Sequence, residues 1–258
     1  MASDAHQAVT TALRLDGPMP DPAAGVFSTT LVAAARAVEV DAHLARLEAS
    51  LRALYGEALP ADARSLIEDG AASLALGRLR LTVVPGAEPD VRVAAVDAAM
   101  VFPSWEEAAS LAAVLVPGWN GAHKWADRRM LDRAQEELRA DLPLLVDPDG
   151  SVLEASRSNV FAVRGGVVAT PPLDGRVLPG IARARTIEVA RAAGIEVTER
   201  SLGIDELAAA DEVFLTGGVR GVEPVARLRG VCEWDSGELT ARVGAELERA
   251  WLGADISS

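Results

Sequence analysis

VDPDGSVLEASRSNVFAV (146–163) carries the pattern on which the fold turns. Two apolar runs flank Asp147-Pro148-Asp149-Gly150, a tetrapeptide suited to a tight reversal, so the stretch predicts two strands and the start of a third at Asn159. One carboxylate, Glu154, stands at a strand end and is followed by small residues. Downstream, NVFAVRGGVVATPP (159–172) predicts a further strand pair around Gly165-Gly166. GIARARTIEVARAAGIEVTERSL (180–202) predicts a helix that stops at Gly194 and then a strand. DELAAADEVFLTGGVRGVEPV (205–225) adds a short helix, a strand over Glu212–Thr216 and a glycine-rich turn.

Upstream, residues 126–140 predict a helix with Met130, Leu131, Ala134 and Leu138 on one side. PGWNG (117–121) is the strongest punctuation in mid-chain and reads as an interdomain connection. Before it come a short apolar stretch at 8–15, a Pro/Gly loop at 17–25, a buried strand in VFSTTLVAA (26–34) and a second strand at Arg36–Val40. DAHLARLEASLRALYG (41–56) is helical: Leu44, Leu47, Leu51 and Leu54 recur at three and four, Asp41 can cap and Gly56 stops. A helix near 61–75 and strands at 78–86 and 91–98 complete this layer. The expectation is an α/β (α+β) chain of two domains, residues 1–117 and 124–258, joined by a linker at 118–123.

The 258 residues are 50 % apolar and 24 % charged, which supports a sizeable core. A net charge of −13 argues against nucleic acid or an anionic membrane as partner, because phosphates demand cations. No segment reaches the ~20 uninterrupted apolar residues of a bilayer span, and MASDAHQAVTTALRLDG (1–17) has no secretory pattern. One cysteine, Cys232, makes no intramolecular disulfide and reads as a buried small residue, so a cytoplasmic location is expected. His6, His43 and His123 lie in no metal-ligand spacing, and no metal is expected. Lys+Arg 25 resolves into 24 arginines and a single lysine, Lys124. Guanidinium is not deprotonated, so one side chain alone can form a Schiff base.

Two turns suit an anion. LPGIAR (178–183) opens a helix with free backbone N–H groups, and TGGVRG (216–221) lets consecutive N–H groups converge on an oxygen. With these in place, the ordered set VFSTTLV, HLARLEAS, GAHKWADRR, VDPDGSVLEASRSNVFAV, TPPLDGRVLPGIAR and ADEVFLTGGVRGVEPV resembles the signature of the fold-type IV pyridoxal-phosphate enzymes from about Gly25 to Val225. These include branched-chain and D-amino-acid aminotransferases and 4-amino-4-deoxychorismate lyases. The resemblance implies a small N-terminal α/β domain, a larger C-terminal pseudo-barrel α/β domain and a homodimer.

It also implies roles. Lys124 would hold pyridoxal 5′-phosphate as a Schiff base and then act as base, and Glu154 would keep the pyridine nitrogen protonated. Arg46 would bind the phosphate, with the N–H groups of Ile181 and Ala182 and the loop Thr216, Gly217 and Gly218 completing the cup. Leu178 would pack on a ring face, and Asn159 would orient the glutamate or the ring hydroxyl. Ala182 stands where threonine or serine is frequent, which removes a hydroxyl but leaves the N–H. Gly218 likewise replaces a side-chain donor found in some members.

Several features point to the lyase branch. Arg129 stands where branched-chain aminotransferases carry a tyrosine, and Tyr55 is the chain's single tyrosine. KWADR (124–128) is close to the lyases' K-x-x-N-R, with Asp127 in place of asparagine. Thr29 aligns with a lyase threonine whose hydroxyl could relay a proton to the departing enolpyruvyl group. The arginine/glycine-rich segment of some lyases is missing at VVPGAEPDV (83–91), leaving Arg220, Arg128, Arg78 and Arg80 as candidates for the substrate's carboxylates. The expected activity releases pyruvate from 4-amino-4-deoxychorismate to give 4-aminobenzoate, in the same pathway as an aminodeoxychorismate synthase. The alternatives are an amino-acid or amine transaminase of the same fold and a catalytically silent cofactor-binding member.

Overall fold

Two sheets bury most of the apolar side chains in the computed structural model, which describes residues 12–17, 19–235 and 237–253. In chain order the elements are β1 (Leu13–Arg14), β2 (Val26–Ala33), β3 (Arg36–Ala37), α1 (Val40–Tyr55), α2 (Ala63–Ala72), β4 (Leu76–Val83), β5 (Asp90–Ala95), β6 (Ala109–Leu115), α3 (Arg129–Leu138), β7 (Leu142–Val146), β8 (Ser151–Ala155), β9 (Asn159–Arg164), β10 (Val167–Thr170), α4 (Ile181–Ala192), β11 (Val197–Glu199), β12 (Leu202–Gly203), α5 (Ile204–Ala208), β13 (Glu212–Gly217), β14 (Gly221–Leu228), β15 (Cys232–Glu233) and α6 (Glu238–Leu252).

The smaller sheet runs β3-β2-β4-β5, all antiparallel. Its strand β4 alternates as the period of two requires, with Leu79, Leu81 and Val83 buried and Arg78 exposed. Leu44, Leu47 and Leu51 of α1 bury against this face with Ile67 of α2. Each such leucine contributes on the order of 2 kcal/mol. The larger sheet is curled and mixed, ordered β11-β10-β9-β13-β14-β6-β7-β8-β12, with β1 on β6 and β15 on β14. Phe161 and Phe214, stacked with ring centroids 4.8 Å apart, pack between it and helices α4 and α6.

Backbone hydrogen bonds fasten the sheets to each other. The Phe27 N–H donates to Lys124 O at 2.9 Å, and the Ala126 N–H donates to Gly25 O at 3.0 Å. Farther along β2, the Leu31 N–H donates to Gly218 O at 2.8 Å. Strand β2 therefore forms one wall of a cleft whose other walls come from the larger sheet.

Some bounds differ from the sequence expectation. Residues 109–115, assigned above to the N-terminal domain, form β6 between β14 and β7 of the larger sheet, because their apolar run is buried by parallel neighbours. Helix α1 starts at Val40, so Asp41 lies inside its first turn. Its cap position is Glu39, in the left-handed region at φ 52° with no side-chain cap. The second strand is confined to Arg36–Ala37, and the helix expected at 126–140 begins at Arg129. Of the apolar stretch at 8–15, residues 8–11 lie outside the described residues and Leu13–Arg14 form β1. Cys232 is half-buried on β15. Among the described residues, no helix is long and apolar enough to cross a membrane, and no cluster of three His, Cys, Asp or Glu side chains could hold a metal.

Candidate active site

One cleft between the sheets gathers residues scattered over 190 positions of sequence. Thr29 from β2, Arg46 from α1, Lys124 from the segment before α3, Glu154 from β8 and Asn159 from β9 line it together. Leu178, Ile181 and Ala182 at the start of α4 and Thr216, Gly217 and Gly218 at the end of β13 close it. Arg128 also lines it, and its guanidinium donates to Ser156 O.

Glu154 is 6 % exposed, and burial pushes its carboxyl up to about 7. Two donors oppose that rise, Leu178 N–H to Oε2 at 3.1 Å and Trp119 Nε1–H to Oε1 at 3.2 Å, and Asn159 Nδ2 also reaches Oε2 at 3.4 Å. Asn159 also donates to Leu178 O at 3.0 Å, so the amide ties the carboxylate to the loop before α4. That loop is close-packed there, since a Cβ on Gly180 would stand 2.0 Å from Asn159 Oδ1.

Lys124 shows the opposite displacement. Burial, with the charges of Arg46 and Arg128, pushes its amine down to about 7 while Glu154 pulls the other way. Near neutral pH a large fraction of this amine is thus the free base that a carbonyl requires. Its Nζ lies 5.0 Å from the centre of the Phe27 ring, which is covered on a guanidinium face by Arg80 at 3.7 Å.

The residues present fit a phosphate ester. The first amide bonded within the α4 ladder is Ala184 N–H to Gly180 O at 3.0 Å, so the N–H groups of Ile181 and Ala182 lie ahead of it, at the positive end of the helix dipole. Thr216 is 2 % exposed and its Oγ1 is buried without a partner. Gly218 lets the turn approach β2, since a Cβ there would meet Thr29 O at 2.8 Å. Arg46 closes the cup. Its Nη1 donates to Pro179 O at 3.3 Å and its Nη2 to Ser28 Oγ at 3.1 Å, and burial lowers it only to about 10, leaving it charged.

Arg220 does not line the cleft; its guanidinium pairs at 2.9 Å with Glu223, three residues on in β14. Arg78 is exposed on β4. Arg128 lines both the cleft and an open depression that also contains Arg80 and Arg129. Asp127 at its edge is held ionised by Arg129 at 2.7 Å. Tyr55 donates to Pro22 O at 2.7 Å and is not among the residues lining the cleft.

The sequence reading passes over Trp119 and His43, which line the cleft, and Ser28, which does not line it but bonds to Arg46 and His43. Trp119 sits in the segment read as a linker. His43 is buried, shares a hydrogen bond of 2.8 Å with Ser28 Oγ and is pushed down to about 3 by burial and the nearby Arg46 and Lys124. The local signal available was the run of polar residues on faces that are largely apolar, Ser28 with Thr30 on β2 and His43 with Ser50 on α1.

The profile of the amino-transferase class IV family matches residues 25–228. Among curated proteins, the chloroplastic branched-chain-amino-acid aminotransferase 5 of Arabidopsis thaliana is 47 % identical over 75 residues, 29 % of this chain and 18 % of that protein. The chain thus matches less than a fifth of that relative's length. Among solved structures, a hypothetical aminotransferase from Mycobacterium tuberculosis in its PLP-bound form superposes with a TM-score of 0.78 at 24 % identity, over 92 % of this chain and 94 % of that one. The 4-amino-4-deoxychorismate lyase of Pseudomonas aeruginosa superposes with a TM-score of 0.73 at 27 % identity, over 89 % and 91 %.

Proposed function

Since the chain belongs to the class IV aminotransferase family, we propose that it is a pyridoxal 5′-phosphate enzyme whose reaction is that of a 4-amino-4-deoxychorismate lyase, releasing pyruvate and leaving 4-aminobenzoate. Bound in the cleft, the cofactor would supply an aldehyde for the substrate amine and a ring that accepts electrons. Lys124 would hold that aldehyde and, once released as a free amine near neutral pH, would take the proton beside the substrate nitrogen. Glu154 would face the ring nitrogen. Arg46, the N–H groups of Ile181 and Ala182, and Thr216, Gly217 and Gly218, which line the cleft together, would hold the phosphate, and Leu178 would cover a ring face.

The observation that carries the lyase reading is that Thr29 lines the same cleft as Lys124; under this reading its hydroxyl would hand a proton to the departing enolpyruvyl group. Arg128, which lines both the cleft and the open depression, and Arg80, which lines the depression, would take the carboxylates. Arg220 is left out of that role because Glu223 engages it.

Transaminase chemistry is the second reading. It is favoured by the 47 % identity of a 75-residue segment to a branched-chain aminotransferase. The lyase reading brings with it a homodimer, a cytoplasmic location and an upstream aminodeoxychorismate synthase as proposals. The test supplies chorismate, glutamine and such a synthase, then measures 4-aminobenzoate and pyruvate with wild type and Lys124→Ala. Product that depends on Lys124 supports the lyase. Equal product with either protein sinks it. Bleaching of the cofactor's visible absorbance by an amino donor alone supports the transaminase.

A further inference from the structure

The indole of Trp119 is buried among Met130, Leu131, Leu145, Leu153 and Val177, with its N–H aimed at Glu154 Oε1 at 3.2 Å. An indole nitrogen donates and never accepts, so the direction of this bond is fixed. A carboxylate oxygen accepts about two hydrogen bonds. Oε2 already receives Leu178 N–H at 3.1 Å and Asn159 Nδ2 at 3.4 Å, whereas Oε1 receives Trp119. One acceptor position of Oε1 is therefore left over, and the rotation of the carboxylate is set from both sides.

We infer that Trp119 is a positioning residue for Glu154: its N–H holds the carboxylate ionised and oriented so that Oε1 offers its remaining lone pair to a protonated aromatic ring nitrogen. The inference deepens the proposed function and rests on it for the identity of that ring. The charged groups around Glu154 come from separate elements: Lys124 and Arg128 from the segment between β6 and α3, and Arg46 from α1. These cations and the N–H donors offset the burial that drives the carboxyl up to about 7. With Glu154 so near neutral pH, losing one donor tips it to the protonated form, which has no charge to place opposite a ring cation. Trp119 also lines an open depression with Pro20, Met130 and Arg133, so its ring separates the carboxylate from solvent. Trp119→Phe keeps an aromatic ring in this buried cluster but removes the N–H together with the indole's second ring, so the loss of the donor has to be separated from the loss of packing.

The first test uses the cofactor-free protein. With carboxyl-labelled glutamate, the Glu154 titration followed by NMR should move up by about one to two pH units in Trp119→Phe. In wild type, the Trp119 indole N–H resonance should titrate with the Glu154 midpoint and lose that response in Glu154→Gln. An unmoved midpoint, or an indole resonance indifferent to Glu154, overturns the inference. The wild-type resonance decides the matter even if Trp119→Phe does not fold. With pyridoxal 5′-phosphate added, Trp119→Phe should bind it about tenfold more weakly, and the loss should vanish in a Glu154→Gln background. Equal losses in both backgrounds would mean packing only and would overturn the role. Borohydride trapping on wild-type Lys124 tests the underlying reading separately. No adduct, with the two titrations intact, removes the proposed cofactor but not the Trp119 effect on Glu154.

Discussion

The amide of Leu31 donates to the carbonyl of Gly218 at 2.8 Å, so the turn that would cradle a phosphate is fastened to the middle of β2. The two backbones are too close for a side chain between them. Gly218→Ala would put a Cβ 2.8 Å from Thr29 O and 3.4 Å from His43 Cε1. Thermal denaturation should show a loss of about 1–3 kcal/mol, and pyridoxal-phosphate titration a weaker affinity. Gly217→Ala, whose Cβ would meet Ser158 Oγ at an ordinary 3.4 Å, should stay close to wild type in stability.

Lys124 should react as an amine with a midpoint near pH 7 in the cofactor-free protein, far below an ordinary lysine. Peptide-mapped acylation against pH measures it and separates Lys124 from the N-terminal amine. Arg46→Met should raise the midpoint, since Arg46 is the largest of the charges that depress it. The linked stability follows in sign. Unfolded chains bind a proton on this lysine up to about pH 10.5 and folded ones only up to about 7, so its contribution becomes more favourable as pH rises through that window. Lys124→Met should remove that rise, and the chain has no second lysine to mask the difference.

Thr29→Val keeps the shape of the strand residue and removes its hydroxyl. Under the lyase reading it should slow pyruvate release by about 10²–10⁴-fold while cofactor binding is retained. An unchanged rate would show that the leaving group takes its proton elsewhere.

Ser28→Ala should cost about 1–3 kcal/mol, because it strips a partner from both buried His43 and Arg46. Denaturant unfolding reads the loss. Phosphate affinity should fall with it, as Arg46 loses one of its two anchors.

How much of this was legible in the sequence depended on whether a residue's role could be read from its neighbours. The strands around Glu154, the glycine turn after Thr216 and the helix start at Ile181 announce themselves locally, through β-branched runs and Gly/Pro punctuation. The cleft lined by Lys124, Glu154, Arg46 and Thr29 follows from the ordered motifs taken together. Arg220 shows the limit of proximity: it follows the glycine turn at Thr216–Gly218 in sequence, yet Glu223 three residues later draws its guanidinium aside. Trp119 shows the converse. Gly118 and Gly121 make its segment look like a linker, while its partner Glu154 is 35 residues away and joined only by the sheet. β6 failed for a related reason, since an apolar run does not say which sheet will bury it.

The backbone around Lys124 is pinned on both sides, by Phe27 N–H to Lys124 O and by Ala126 N–H to Gly25 O. The Cα of the lone lysine is thus a fixed pivot. Whatever distance its amine covers between bonded and free states must come from torsions of its own methylene chain, so lengthening or shortening that arm by one carbon should be felt more sharply than loosening any nearby loop.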